Sequence, residues 1–275
     1  MKLAIHTVFN LRENILFLED WITYHKLLGF DLFYLYDNSK SISVDNRTKS
    51  TNKYKIDFAK ATSHINDLEL DEMINRIKDK FEKEITYIIW EPKDSYGNVI
   101  YFQEGAIRHY IEHYSDQSDW SAFIDMDEFI FCETDLKGTI DRIKRTENAF
   151  NIVLFQKKFD DRFNNLDKSV LDITNCIDDI DTTNWAPKNI CYSPILKSFD
   201  QYVNWQIHFM LQEHTKSYYC DPKKFRFNHY NVNKCQLEWM RGFYQTHDNF
   251  FLNGMCSELL DRAKILKRNK SNEQS

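Results

Sequence analysis

Asp125, Asp127 and Glu128 place three acids within four residues. They follow the apolar stretch 120–124, WSAFI, and run straight into Phe129 and Ile130. A buried strand that ends in clustered carboxylates concentrates negative charge where water is scarce, and both repulsion and desolvation raise the cost. A divalent cation at the strand's end removes the problem, and hard oxygen ligands suit Mn²⁺ or Mg²⁺. The alternative is a strand end whose acids face solvent or cap the next helix. Asp-x-Asp is short enough that its surroundings must decide between the two.

Those surroundings read as strands and helices in alternation. Residues 3–9, LAIHTVF, form an apolar run expected to be a strand. Leu18, Trp21, Ile22, His25 and Leu28 then recur at helical spacing, with Gly29 where a C-cap belongs. Residues 32–36 make a second strand that ends in Asp37, Asn38 and Ser39. A strand–helix–strand unit builds a parallel sheet, and ligands gather at the carboxyl ends of such strands. Asp37 is expected at one such end, and Asp125 with Asp127 at another. Residues 39–67 are polar and aperiodic and read as a surface excursion. Helices are expected over 70–81, 101–114 and 136–143, and strands over 85–90, 120–124 and 151–155. Beyond about 157 the pattern breaks into Asp- and Asn-rich loops with short apolar pieces at 190–195, 207–211 and 225–230. Helices over 234–244 and 258–266 and a disordered tail at 267–275 complete the reading. One domain is expected, with a nucleotide-sugar-binding part at 1–156 and an acceptor-side part at 157–266.

Composition sets limits. The chain has 275 residues, 42% of them hydrophobic and 15% aromatic, enough for a sizeable core. A net charge of −6 and a pI near 5.9 argue against a nucleic-acid partner bound by a broad basic face. The six cysteines form no Cys-x-x-Cys pair, which argues against a zinc site or a disulfide framework. No signal peptide or transmembrane run is seen, so a soluble, cytoplasmic protein is expected.

Several motifs in order resemble those of glycosyltransferase family 92 and related family-2-like enzymes. They are Glu13-Asn14 with Leu18-Glu19-Asp20-Trp21, then Tyr24-His25 and Leu28-Gly29, then Tyr36-Asp37-Asn38-Ser39. Gln103-x-x-Ala106, Asp125-Met126-Asp127-Glu128-Phe129, Lys188-x-Ile190, His208, Asn228-His229-Tyr230 and Met240-Arg241-Gly242 continue the series. Two departures are mild: Asp20 stands for the usual Glu, and Glu13-Asn14 reverses the usual order. A third is larger, because Gln156-Lys157-Lys158-Phe159-Asp160-Asp161 replaces a Trp-x-x-Phe-Gly-Ser-x-Gly segment on the acceptor side.

The resemblance implies an α/β fold of the GT-A nucleotide-diphospho-sugar transferase type, with a mostly parallel central sheet flanked by helices. It implies a metal-dependent hexosyltransferase that moves a sugar, galactose first, from a UDP-sugar to a hydroxyl acceptor with inversion. The acceptor would be a glycan, a protein or a lipid-linked saccharide. Within that reading Asp125, Asp127 and His229 form the metal set, with Asp127 a direct ligand and Asp125 acting through water or on the ribose. Asp37, Asn38, Gln103 and Lys188 join Asp125 on the nucleotide sugar. Turn chemistry is the equal alternative for Asp37 and Asn38, and a hydrogen-bonded core histidine is the alternative for His229. His25 is expected to pack under the sheet. The base that takes the acceptor's proton is expected to be Asp161, with Asp160, Glu213 and Asp221 as alternatives. The changed segment 156–161 keeps a second class open, a non-catalytic nucleotide-sugar or glycan-binding scaffold.

Overall fold

Every residue from Leu3 to Phe9 is buried, and this strand, β1, lies inside a seven-stranded sheet. The computed structural model describes residues 1–41, 64–159, 175–176, 186–199, 208, 215–230 and 254–255. After β1 come α1 (Leu11–Leu28), β2 (Leu32–Asp37), α2 (Asp67–Lys80), β3 (Ile85–Ile89), α3 (Gln103–His113) and β4 (Trp120–Phe123). Then follow β5 (Glu128–Cys132), α4 (Leu136–Glu147), β6 (Asn151–Leu154), β7 (Gln156–Phe159) and β8 (Asn175–Cys176). The remaining elements are β9 (Lys188–Tyr192), α5 (Ser193–Leu196), β10 (Ser217–Tyr219), β11 (Phe225–Tyr230) and β12 (Gly254–Met255).

Local chemistry sets the helix ends. The Asn10 side chain accepts from the Glu13 N–H at the start of α1. Gly29, at φ 127°, ends it with its N–H on the His25 carbonyl. A capping box between Asn66 and Glu69 starts α2. Asp135 caps α4.

The larger sheet has the order β10-β6-β9-β4-β1-β2-β3. The pairs β4–β1, β1–β2, β2–β3 and β10–β6 are parallel, and β9 runs antiparallel between β4 and β6. This is the mostly parallel α/β sheet that the sequence led us to expect. Alternation in β1 divides the core. Leu3, Ile5 and Phe9 meet α1, α2 and α4 on one face; Ala4 and Val8 meet α3 on the other. Strand order reverses between β1 and β4, so the topological switch point lies beside the end of β4. Strands β9 and β10, from beyond residue 157, are built into this sheet, so the two expected parts share it.

A second sheet, β12-β8-β7-β11-β5, lies against the α1 face, with Phe129, Ile130, Phe227 and Tyr230 in the same core as Trp21 and Leu18. The sequence reading did not anticipate β5, β7 or β10 as strands. Of the short apolar piece at 190–195, the part up to Tyr192 lies in β9, and Ser193 and Pro194 open a short helical turn. The piece at 207–211, apart from His208, lies outside the described residues. So do the helices at 234–244 and 258–266, the tail, and most of the excursion at 39–67.

Candidate functional site

The Asp-Met-Asp segment is the joint between the two sheets. β4 ends at Phe123 in the larger sheet and β5 begins at Glu128 in the smaller one. Ile124 and Met126 are buried in the crossing and anchor it. The turn is closed by Glu128, whose carboxylate accepts from the Asp125 N–H at 2.8 Å while its own N–H reaches the Asp125 carbonyl at 3.1 Å.

Each aspartate meets a basic side chain carried by its own sheet. Asp125 receives the Lys188 ammonium at 2.6 Å, and Lys188 opens β9, the neighbour of β4. Gln103, the first residue of α3, donates to the other oxygen of Asp125 at 3.1 Å. Lys188 also lies 3.2 Å from Glu128. Asp127 faces His229, with Oδ2 3.3 Å from Nε2 across 102 residues of chain. His229 is on β11, the neighbour of β5. Its Nδ1 lies 3.2 Å from Oε1 of Gln156, on β7.

Burial and pairing tune these groups in different directions. Burial opposes the charge on Asp125, but the Lys188 ammonium outweighs it and holds the carboxyl below its ordinary value. Burial pushes Glu128 up to about 7 in spite of Lys188. Burial also opposes the charge on Lys188, yet Asp125 and Glu128 keep it firmly protonated. Burial and the nearby ammonium push His208 down to about 4, and its Nδ1 donates to the Pro187 carbonyl at 3.1 Å. For His229 burial works against protonation, but Asp127 prevails and raises its pKa.

The donor set at Asp127 and His229 fits a divalent cation. Both ring nitrogens of His229 face acceptors, the pattern of an imidazolium. Once Nε2 gives up its proton, a lone pair and a carboxylate oxygen face each other at 3.3 Å. Neighbouring ligands of an octahedral ion with ~2.1 Å bonds stand about 3.0 Å apart, so a cation can take the proton's place. Gln156 then holds the imidazole in orientation. Asp125 is less available as a direct ligand, because Lys188 and Gln103 hold its two oxygens. No three His, Cys, Asp or Glu side chains among the described residues form a ready metal cluster.

At the end of β2, turn chemistry occupies Asp37. One oxygen accepts from the Ser39 N–H and hydroxyl, and the other from the Tyr87 hydroxyl at 2.5 Å. The Asn38 amide nitrogen donates to the Trp90 and Ile100 carbonyls, while its buried Oδ1 has no hydrogen-bond partner among the described residues. Asp221 is not brought to the site. It closes the turn before β11, and Phe225 to His229 alone spans about 13 Å of strand at ~3.3 Å per residue. Asp160, Asp161 and Glu213 lie outside the described residues, as does Met240-Arg241-Gly242. His25 is fully buried beneath β5, as expected. Sequence reasoning missed three roles: Glu128 as the closure of the turn, Lys188 as counter-ion to Asp125, and Gln156 behind His229. A lysine opening an apolar strand was the available signal for the second, since a buried ammonium needs a carboxylate.

No protein-family model and no curated protein matches the chain. Among solved structures, a 1–349 fragment of S. aureus TarS aligns with TM-score 0.47 and 11% identity. That alignment covers 84% of this chain and 60% of the fragment, so the chain spans less than two thirds of it. HddC from Yersinia pseudotuberculosis aligns with TM-score 0.38 and 12% identity over 82% of this chain and 92% of that one. A CMP:2-keto-3-deoxy-manno-octonic acid synthetase complexed with CTP aligns with TM-score 0.38 and 6% identity over 89% and 98%. Similarity at this level does not extend to activity. Among the described residues, no helix is long and apolar enough to cross a membrane.

Proposed function

We propose that this chain is a metal-dependent glycosyltransferase that moves a hexose, galactose first, from a UDP-sugar to a hydroxyl acceptor with inversion. The observation that carries the reading is the meeting of Asp127 with His229 at 3.3 Å, at the joint beside the sheet's switch point. The family-92-like order of motifs points the same way, and it is these motif residues that meet there.

A bound Mn²⁺ or Mg²⁺ supplies charge neutralisation to the departing diphosphate. Asp127 and His229 hold that ion in this reading, and Gln156 fixes the imidazole. Lys188 keeps Asp125 ionised and oriented at the rim of the same site, where the Asp125 side chain remains about one-third exposed (35%). From there Asp125 can accept a hydrogen bond from a ribose hydroxyl or from a metal-bound water. Gln103 restrains the same carboxylate. Asn38, whose buried Oδ1 has no hydrogen-bond partner among the described residues, would contact the nucleoside in this reading. In the transfer, the bond from the anomeric carbon to the diphosphate oxygen breaks as the bond to the acceptor oxygen forms. The acceptor's proton passes to a carboxylate, for which Asp161 is the choice and Asp160 or Glu213 the alternatives.

The test is a panel of nucleotide sugars with Mn²⁺. At least one donor should raise the melting temperature and be slowly hydrolysed, and Asp127→Ala should abolish both with the fold intact. No response to any donor from folded protein sinks the proposal. Donor binding without turnover, across many acceptors, would favour the scaffold reading.

A further inference from the structure

The Trp-x-x-Tyr-His stretch of α1 has no part in the chemistry above, yet Trp21, Tyr24 and His25 each bond to one strand. The Trp21 indole N–H donates to the Glu128 carbonyl at 2.8 Å. The Tyr24 hydroxyl donates to the Ile130 carbonyl at 2.9 Å. His25 Nε2 accepts the Ile130 N–H at 3.1 Å, and its Nδ1 donates to the Trp21 carbonyl at 2.9 Å. All three side chains are buried. Positions 21, 24 and 25 share one helix face, which is why they can act together.

Among the described residues β5 is the edge of its sheet, with β11 on one side only. An edge strand leaves every second residue's N–H and C=O pointing away from its neighbour. Here those groups belong to Glu128 and Ile130; the helix side chains bond to both carbonyls and to the Ile130 N–H, while the Glu128 N–H turns back to the Asp125 carbonyl. The next residue back is Asp127, whose carbonyl accepts the Tyr230 N–H of β11 at 2.8 Å. The segment 127–130 is therefore gripped from both sides, by a strand and by a helix.

We infer that Trp21, Tyr24 and His25 are positioning residues that substitute for a missing neighbour strand and thereby set the Asp127 carboxylate against His229. The consequence for ligand affinity rests on the metal–diphosphate reading; the consequence for backbone order does not. Trp21→Phe and Tyr24→Phe each delete one donor and keep an aromatic ring, so they separate the hydrogen bond from the packing. Amide exchange at Tyr230, measured by NMR, reports the hold on the Asp127 carbonyl without any ligand. Trp21→Phe, one peptide from Asp127, should speed that exchange about tenfold, and Tyr24→Phe should do so less. Affinity for Mn²⁺ with UDP should weaken in the same order, beyond what the two melting temperatures explain. Unchanged Tyr230 exchange in both variants would overturn the inference. So would affinity losses that follow melting temperature rather than distance from Asp127. If neither variant nor wild type binds Mn²⁺ and UDP while the exchange gradient appears, the metal reading fails and the clamp stands. Should Trp21→Phe not fold, the near-isosteric Tyr24→Phe decides by the same exchange measurement.

Discussion

Asp125 and Asp127 are two residues apart and live in different surroundings. Asp125 stands just past the end of β4, in the larger sheet, and is neutralised by a buried ammonium from that sheet. Asp127 stands just before β5, in the smaller sheet, and faces an imidazole from that sheet. An ammonium is a permanent counter-ion, so Asp125 is satisfied without help. An imidazole is a conditional one, because its proton can leave and a metal can replace it. The same acid pattern thus yields one carboxylate fixed for structure and orientation and one left open to a cation.

Removing the permanent counter-ion should have the largest effect. Lys188→Met leaves Asp125 and Glu128 without their cation in a buried setting. The expected loss is about 3–5 kcal/mol of stability, read from urea midpoints. Adding Asp125→Asn should restore part of it, and additive losses would separate the two residues.

His25 comes next. His25→Leu strands the Ile130 N–H and should cost about 1–3 kcal/mol. It also changes the acid response. Burial pushes His25 down to about 3, so between its ordinary 6.5 and that value the unfolded chain binds the extra proton. Stability from the neutral ring is complete above the ordinary value and is lost as pH falls toward the folded one. Wild type should therefore lose about 1.4 kcal/mol per pH unit more than His25→Leu over that window. Parallel stability curves would show that His25 protonates as readily folded as unfolded.

A smaller and more specific effect concerns His229. Its folded pKa is raised, so the pairing with Asp127 stabilises the metal-free protein at low pH and is lost as pH rises through that raised value. Metal must displace the same proton. Below that pKa, Mn²⁺ affinity should rise about tenfold per pH unit and then level off, as followed by calorimetry. A flat profile would remove His229 from the ligand set. The smallest effect is expected at Asp221, which only closes a turn. Asp221→Asn should cost about 0.5–1 kcal/mol and leave turnover within about twofold in steady-state kinetics.

Much of the larger sheet was legible because its strands are continuous apolar runs. Residues 3–9 were read as a strand at the bounds the structure gives it, and in the smaller sheet the short apolar piece at 225–230 coincides with β11. β5 was not, because it starts in an acid and follows the preceding strand without a glycine or proline to mark the break. β7, QKKF, has no apolar run of its own and is defined by pairing with β11 across the sheet. The site was legible as residue types: the two aspartates, His229 and Lys188 were all singled out. Its pairing was not, since Lys188 and Asp125 are 63 residues apart and no local pattern encodes which acid a lysine meets. The hydrogen bonds of Trp21 and Tyr24 were hidden for a related reason. Helical spacing puts Trp21 on the apolar face and leaves Tyr24 off that stripe, and only the sheet arrangement shows where the polar atoms of both end.

The division of labour between the two acids is tested most directly by counting Mn²⁺ ions bound in the presence of UDP, by EPR, in wild type, Asp127→Asn and Asp125→Asn. One ion should bind to wild type and to Asp125→Asn, and none to Asp127→Asn. Undiminished Mn²⁺ binding by Asp127→Asn, or its loss in Asp125→Asn alone, would contradict the assignment.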